Sequence, residues 1–245
     1  MHMILVLFGL SLVFVAVGYI VTEKNAKNLL SGYNTMSEQE RQAFDLKSFI
    51  PAFRKFHLLL GISLFVAGSA LSILIGDEAA GIFLTAYPLL AYIWFLWIGK
   101  KYYNGQSSKR NIIGIAILVA VLAFVIALFT AGFRENKLII TAQEIRIEGM
   151  YGEKLVISEI ETICLTDSLP SISIRTNGFS LGKFRKGYFK TVAGEKIKLI
   201  LNMERKPYLL FVKKTGEKLY FSSGKISNQI IYMEIQKKLP AIKCL

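Results

Sequence analysis

The stretch Ile112–Gly132 reads IIGIAILVAVLAFVIALFTAG, and none of its residues carries a charge. Three further runs share this property: Met3–Val21, His57–Gly76 and Ala79–Gly99. Each run is close to the roughly 20 residues that an α-helix needs to cross about 30 Å of hydrocarbon. Because one charged residue at mid-membrane costs roughly 2.5–3.5 kcal/mol on an insertion scale, four uncharged runs predict four transmembrane helices.

Beyond Gly132 the sequence changes character, because charged residues now alternate with β-branched residues. The chain of 245 residues is 53% hydrophobic, which is typical of a protein that is half embedded in a membrane. We therefore predict a four-helix transmembrane domain over residues 1–132, with an interfacial loop over 22–56. A linker over 133–136 then leads to a β domain over 137–245.

The net charge of +13 is concentrated in residues 133–245, which carry 20 Lys and Arg against 11 Asp and Glu. A basic domain beside a bilayer suggests contact with anionic headgroups or with an acidic partner. A solvated surface that serves solubility is the simpler alternative.

Loop charges predict the orientation in the membrane. The connections Thr22–Phe56 and Lys100–Asn111 together hold ten Lys and Arg, whereas the connection between them is Asp77–Glu78. Short loops rich in Lys and Arg stay in the cytoplasm. We therefore expect a multi-pass protein of the inner membrane with its β domain outside the cytoplasm. Arg134 and Lys137, directly after the fourth span, argue for the opposite orientation.

The first loop contains helix signals. Ser37–Glu40 has the pattern of a capping box, and the helix that it opens is expected to end before Pro51. Thr22–Ser31 is expected to form a short polar helix that Gly32 closes. The aromatic and basic residues over 44–55 suit either a helix lying among the headgroups or a solvated helical hairpin.

The first span, a charged segment, Gly32-Tyr33-Asn34 and the capping box follow one another in an order that resembles a small uncharacterised bacterial membrane family. The resemblance covers about residues 1–100. That family has no established activity, so the resemblance implies architecture alone. Gly32 and Asn34 suit a turn, and Tyr33 suits an interface, so these three residues form a predicted structural motif.

The last 109 residues read as short strands followed by one helix over Lys225–Leu239. The predicted strands are Lys137–Ala142, Glu144–Met150, Lys154–Ser158, Ile160–Leu165, Ser171–Arg175, Lys196–Asn202, Tyr208–Lys213 and Leu219–Ser222. Seven or eight short strands with a terminal helix predict a small antiparallel sandwich or barrel, capped by the helix.

This order resembles the bacterial pleckstrin-homology-like (PH-like) domain over about residues 137–240. Leu169-Pro170, Arg175–Phe179 and Gly187–Phe189 carry the resemblance, which implies a seven-stranded sandwich with a C-terminal helix. The eukaryotic lipid-binding signature is a basic loop between the first two strands. Here that junction is Thr141–Glu144, which contains no Lys or Arg, so phosphoinositide recognition is not implied.

The densest basic stretch follows, interleaved with Phe184, Tyr188 and Phe189. Its members form the predicted binding patch: Lys183, Arg185, Lys186, Lys190, Lys196, Lys198, Arg205 and Lys206. The patch suits docking on anionic lipid or binding of an acidic partner protein. A solvated strand edge whose aromatic rings belong to the core is the third interpretation. Nucleic acid is not an expected partner outside the cell.

Catalytic and metal motifs are absent from the sequence. The histidines are His2 and His57, so the β domain has no histidine for a Ser-His or Cys-His dyad, and His57 at a membrane edge has no assigned role. Cys164 and Cys244 lack metal or redox spacing. Cys164 is expected to be a buried apolar residue, and the two can form a disulfide only in an oxidising compartment. We expect no cofactor, no metal and no enzymatic activity.

The sequence thus predicts a non-enzymatic envelope protein that displays its β domain as a scaffold, interaction or sensing module. Membrane lipid is the expected partner, together with a protein partner or a second copy of the chain. The alternative is a small transport or lipid-handling component. For a polar path the spans offer Ser, Thr and Tyr side chains, because no Asp, Glu, Lys or Arg lies inside them.

Overall fold

The computed structural model describes residues 2–103, 109–240 and 244. The chain divides into a helical unit, Met1–Ile126, and a β unit, Ala127–Leu245. Four helices are long and apolar enough to cross a membrane: α1 (His2–Ile20), α4 (Leu46–Leu74), α5 (Asp77–Ile98, extended by a 3₁₀ turn to Tyr103) and α6 (Lys109–Phe133). The predicted four spans are therefore present as four helices.

In the helical unit α1 packs along α4, and α4 packs along α5. Glycines at the first of these contacts bring the helices close together. Gly68 of α4, for example, leaves no room for a Cβ atom, which would lie 2.5 Å from Leu7 of α1. Small residues at such positions favour close helix packing in a membrane.

The first loop contains two short helices, α2 (Ala26–Leu29) and α3 (Glu38–Ala43). The predicted capping box is present: the Glu40 backbone N–H donates to Ser37 Oγ, and the Ser37 N–H donates to a Glu40 carboxylate oxygen. The helix that this box opens ends at Ala43, earlier than predicted. A new helix, α4, begins at Leu46 under the cap of Asp45, and Pro51 lies near its start, where little of the hydrogen-bond ladder precedes it.

The β unit holds two separate sheets among its described residues. The first has three antiparallel strands, β1 (Lys137–Ile140), β2 (Glu144–Glu148) and β3 (Glu153–Val156). The second has the order β4-β8-β9-β7-β6-β5, with β7 and β9 parallel and the other pairs antiparallel. Its strands are β4 (Ile160–Thr166), β5 (Ile172–Leu181), β6 (Phe184–Thr191), β7 (Lys196–Asn202), β8 (Tyr208–Lys213) and β9 (Lys218–Phe221).

The final helix, α7 (Asn228–Lys238), packs against β4 and β8 and completes the main core with Ile231 and Ile235. Both sheets contribute to this core, for example through Ile147 and Phe211. The described part of the unit has nine strands rather than seven or eight, and the two sheets do not close into a barrel.

Strand β6 was not predicted, because Lys and Gly interrupt its apolar alternation. It forms nevertheless, paired with β5 on one side and β7 on the other. β5 is correspondingly longer than the predicted Ser171–Arg175, since it continues to Leu181 to meet β6. Cross-strand pairing therefore decided the strand here, in place of local pattern.

A disulfide joins Cys164 on β4 to Cys244 near the C-terminus, with 5.0 Å between the two Cα atoms. The pairing spans 80 residues of sequence. Cys164 is half-buried and bonded, so the expectation of a buried apolar thiol is wrong. The bond holds the C-terminal end of the chain against β4, which is one edge of the six-stranded sheet.

Candidate functional site

A cavity of about 410 Å³ lies in the helical unit under the first loop, and we call it the lidded cavity. The end of α1, the first half of α4, the end of α5 and the start of α6 bound it. Its wall is mostly apolar and includes Val17, Val21, Phe44, Phe49, Phe53 and Phe95. None of the described lining residues is charged, and the polar ones are Ser31, Tyr33, His57, Tyr92, Tyr103 and Asn111.

The predicted motif Gly32-Tyr33-Asn34 contributes to the cover of this cavity, because Gly32 and Tyr33 line it. Gly32 adopts φ +88°, a left-handed conformation that glycine tolerates best. Arg41 holds the turn in place: its Nε donates to the Tyr33 carbonyl at 3.3 Å, and its Nη2 donates to the Asn34 carbonyl at 3.1 Å. The motif therefore shapes a cavity wall, beyond the turn that the sequence predicted.

Apolar side chains attach the cover to the helices. Met36 and Phe44 are buried with Tyr102, and the Asp45 N–H donates to the Tyr102 carbonyl at 2.9 Å. Leu30 in the first loop and Phe53 at the start of α4 are likewise buried among apolar side chains of the helical unit.

A polar pair lies in the wall of the lidded cavity. His57 is fully buried, its Nδ1 lies 2.8 Å from the Phe53 carbonyl oxygen, and its Nε2 lies 2.8 Å from the Tyr92 hydroxyl. The rings of Phe53 and Phe56 flank the imidazole. The sequence did not identify this pair, although a His and a Tyr on two otherwise apolar helices were the available signal.

A second cavity, of about 530 Å³, lies between α4 and α5. Phe56, Leu60 and Trp94 line its apolar wall, and Lys55 and Lys101 lie at its border. Tyr87 also lines it and shares a hydrogen bond of 2.6 Å with Ser63. This tyrosine resembles Tyr92 chemically but faces a different cavity.

The predicted basic patch does not form one surface. Lys190, Lys196, Arg205 and Lys206 are exposed, and Lys183 and Arg185 are half-buried. Lys183 pairs with Glu204, and Arg185 donates to the backbone carbonyls of Gly182 and Phe184. Lys186 and Lys198 are buried, although they share one face of β6 and β7 with the exposed Lys190 and Lys196. The prediction of one continuous binding patch is therefore wrong for these two residues.

Lys186 is 3% exposed, and its ammonium donates a hydrogen bond to the Arg134 carbonyl. Burial lowers its pKa to about 8, although the negative charge of Glu135 acts in the opposite direction. A lysine so placed is held at the end of α6 as part of the interior. It is not available to a headgroup or a partner.

Lys198 forms a network with Glu153 and Lys213 at a cleft of about 290 Å³. The two ammonium groups lie 2.7 and 2.5 Å from the Glu153 carboxylate. Burial alone would raise the pKa of Glu153, but the hydrogen bonds from Lys198 and Lys213 outweigh it and lower that pKa. The pKa of Lys213 is raised, since its bonds to Glu153 and Glu217 outweigh its own burial.

Strand β5 is the second edge of the six-stranded sheet, and its first six residues are all exposed. Ile172 is 38% exposed and Ile174 is 58% exposed. Its pairing with β6 shifts register after Ile172 and after Arg175. Phe179, near its other end, packs against Phe133 of α6. An edge that exposes isoleucines in this way is open to strand addition.

Among residues 2–103, 109–240 and 244, no group of three or more His, Cys, Asp or Glu side chains could hold a metal ion.

Residues 8–103 match the model of a family described as a domain of unknown function, DUF3784. The match covers α1 to α5 with the first loop, so it includes the cover and most of the wall of the lidded cavity. The expected resemblance of residues 1–100 to an uncharacterised family is thereby confirmed. No family match covers the β unit, and no curated protein or solved structure matches the chain significantly.

Proposed function

We propose that this chain is a non-enzymatic integral membrane protein of the bacterial inner membrane that displays its β unit outside the cytoplasm as an interaction module. The observation that carries the proposal is the free edge of β5, with its six consecutive exposed residues. Backbone N–H and C=O groups along such an edge can pair with a strand from another chain. The opposite edge, β4, is covered by α7 and bonded to Cys244.

The partner that this edge fits is an acidic extended segment of a neighbouring membrane protein. Arg175 lies on β5 itself, and Lys190 and Lys196 lie on the next two strands in register with the neighbouring Ile174. All three are exposed, so a segment added at β5 meets positive charge. A second copy of the chain would bring two such basic edges together, which disfavours self-association through β5.

Membrane lipid is the other partner class that we propose. The exposed members of the basic stretch, among them Arg205 and Lys206, can contact anionic headgroups at about 1 kcal/mol per basic residue near a charged leaflet. This contact needs no specific site, so the edge of β5 remains the more selective feature.

Two independent observations support the outside placement of the β unit. Ten Lys and Arg lie in the connections Thr22–Phe56 and Lys100–Asn111, which favours the cytoplasm for both. The Cys164–Cys244 disulfide lies in the β unit, and disulfides persist in oxidising compartments. Four spans put the β unit on the side opposite these two connections, so both observations favour its placement outside the cytoplasm.

The PH-like interpretation of the β unit also remains a proposal. Two packed antiparallel sheets and a terminal helix that contributes Ile231 and Ile235 to the shared core support it. Two features differ from the seven-stranded pattern, namely nine described strands and the parallel β7–β9 pair.

The test is site-specific photo-crosslinking in living cells, with a photoreactive amino acid at position 174 on β5. The matched control is position 230, another exposed isoleucine of the same unit, which lies on α7. We expect a discrete protein adduct from position 174 and none from position 230. Equal adducts at both positions, or none at 174, would contradict the edge of β5 as the docking site. An adduct of twice the chain mass would replace the acidic partner with a second copy.

A second candidate function, a transport or lipid-handling component, rests on the cavities of the helical unit. Pockets of about 300–1,000 Å³ with apolar walls and a few polar groups are typical of small-molecule sites. Purification from native membrane separates the two functions. A stoichiometric protein partner supports the interaction module, and a co-purifying lipid or solute supports lipid handling.

A further inference from the structure

We infer that the lidded cavity binds a neutral apolar alcohol, whose hydroxyl donates a hydrogen bond to the hydroxyl oxygen of Tyr92. The inference deepens the second candidate function and rests on it, because it names the class of molecule that a lipid-handling unit would hold. Three properties of the cavity carry it: the protonation pattern of the polar pair, the charge of the wall, and the size and composition of the space.

The protonation pattern follows from the partners of His57. Its Nδ1 lies 2.8 Å from the Phe53 carbonyl oxygen, which can only accept, so Nδ1 carries the proton. The ring is neutral, since an imidazolium at this depth would add an uncompensated charge to a membrane-spanning helix. Nε2 of the neutral ring is then a bare acceptor, and the Tyr92 hydroxyl, 2.8 Å away, must donate to it.

The donating Tyr92 hydroxyl retains the lone pairs of its oxygen, and Tyr92 belongs to the wall of the lidded cavity. A bound molecule can therefore satisfy this oxygen only by donating a hydrogen bond. Alcohols donate, whereas aldehydes, ketones, esters and ethers accept. The His57–Tyr92 pair thus disfavours the corresponding aldehyde or ether. The oxygen of either molecule and the oxygen of Tyr92 would both be acceptors and could not form a hydrogen bond.

The wall excludes charged molecules and suits an apolar body. None of the described lining residues is charged, so a carboxylate or phosphate would enter without a compensating cation. Phe49, Phe53 and Phe95 present aromatic surface to the space. About 410 Å³ suits a single chain of isoprenoid or fatty type rather than a two-chain phospholipid.

The first test compares ligands on the unchanged protein. The full chain in nanodiscs, with empty nanodiscs as the blank, is titrated with farnesol, farnesal and farnesyl methyl ether. These probes share one carbon skeleton, but only farnesol can donate. We expect saturable farnesol binding, and about tenfold weaker binding of the other two, as one buried hydrogen bond would produce. Equal affinity for the three probes would overturn the inference.

The second test changes the protein. Tyr92→Phe removes the accepting oxygen and keeps the ring, so it should reduce the preference for farnesol over the ether, because the acceptor that remains, Nε2 of His57, lies 2.8 Å behind the lost hydroxyl. Tyr87→Phe is the matched control, because it is the same change on the same helix, and Tyr87 pairs with Ser63 and lines the other cavity. An equal effect of both variants on the preference would contradict the role of Tyr92. If Tyr92→Phe fails to fold, the comparison of the three ligands on the unchanged protein still tests the inference.

Lipid extracted from the purified chain distinguishes this inference from the function on which it rests. A co-purifying fatty acid or phospholipid, with no preference among the three probes, would overturn the alcohol site and leave lipid handling supported. No co-purifying lipid and no probe binding would overturn both. A co-purifying neutral alcohol would support both.

Discussion

Gly61 of α4 lies directly against the backbone of Ser11 of α1, so that a Cβ atom on Gly61 would come within 2.7 Å of the Ser11 carbonyl oxygen. Gly18 shows the same relationship in reverse, since a Cβ there would lie 2.8 Å from Cβ of His57. The close contact between α1 and α4 therefore depends on glycine, which has no side chain. It also positions His57, because Gly18 of α1 packs against the Cβ atom of that residue.

The first prediction concerns this contact. Gly61→Leu should push α1 from α4, because the nearest atoms include backbone that cannot give way, and it should lower the free energy of unfolding by roughly 1–3 kcal/mol. Gly9→Leu is the control, since nothing lies within 4 Å of a Cβ at position 9. Thermal unfolding of both variants in the same detergent checks the prediction. Equal midpoints would mean that the close approach of the helices is not needed.

The second prediction concerns Lys186, whose pKa is lowered to about 8 by burial. Between about pH 8 and its ordinary pKa of 10.5, the unfolded chain holds a proton that the folded chain lacks, so stability should rise with pH across this window. Lys186→Met removes the buried ammonium and should raise the free energy of unfolding at pH 7. That gain should shrink by on the order of 2 kcal/mol between pH 8 and pH 10.5.

Denaturant unfolding followed by circular dichroism, at pH 7 and pH 10, measures this difference. Lys190→Met is the control, because Lys190 is exposed and lies four residues along the same strand. It should leave the pH dependence of the unchanged protein intact. A pH-independent difference between Lys186→Met and the unchanged protein would contradict the lowered pKa.

The third prediction concerns Glu153, whose pKa is lowered because the bonds from Lys198 and Lys213 outweigh its burial. A lowered carboxyl pKa adds stability above the ordinary value of 4.5, and this is lost as the pH falls through the folded-state pKa. Glu153→Gln should lower the free energy of unfolding at pH 7 by about 2 kcal/mol, because it takes the carboxylate from the buried Lys198 and leaves Lys213 with Glu217 alone.

The difference between Glu153→Gln and the unchanged protein should shrink as the pH falls below 4.5 and disappear below the lowered folded-state pKa, where the unchanged carboxylate is protonated as well. Glu195→Gln is the control, since its pair with Lys218 at 2.9 Å is more than a third exposed on both sides. We expect at most about 0.5 kcal/mol from that change. Equal losses of unfolding free energy in the two variants would contradict a larger contribution from the buried Glu153 network.

The fourth prediction tests the orientation through the cysteines. The chain has two of them, so Cys164→Ser leaves Cys244 as the only thiol. If the β unit lies outside the cytoplasm, a membrane-impermeant maleimide should label this variant in intact cells and leave the unchanged protein unlabelled until a reductant is added. Labelling of the variant in inverted vesicles alone would reverse the orientation. The same variant should lose roughly 2–4 kcal/mol of stability.

Much of the architecture follows from local pattern. Four uncharged runs became four helices, the box at Ser37 and Glu40 formed as expected, and the strands around Ile145 and Leu209 lie where alternation predicted them. These features depend on the spacing of apolar residues and on hydrogen bonds between neighbours. A single segment contains all the information that such features need.

Other features needed the assembled structure, because they join residues that no local pattern links. His57 and Tyr92 are 35 positions apart, and Cys164 and Cys244 are 80 apart. Strand β6 exists because β5 and β7 pair with it, and packing along one face of β6 and β7 buries Lys186 and Lys198 while it leaves Lys190 in solvent. The sequence by itself determined the four long helices and most of the strands, since these depend on the spacing of apolar residues within one segment. Which charges are buried, which edge is open and which polar groups face a cavity were decided by long-range packing alone.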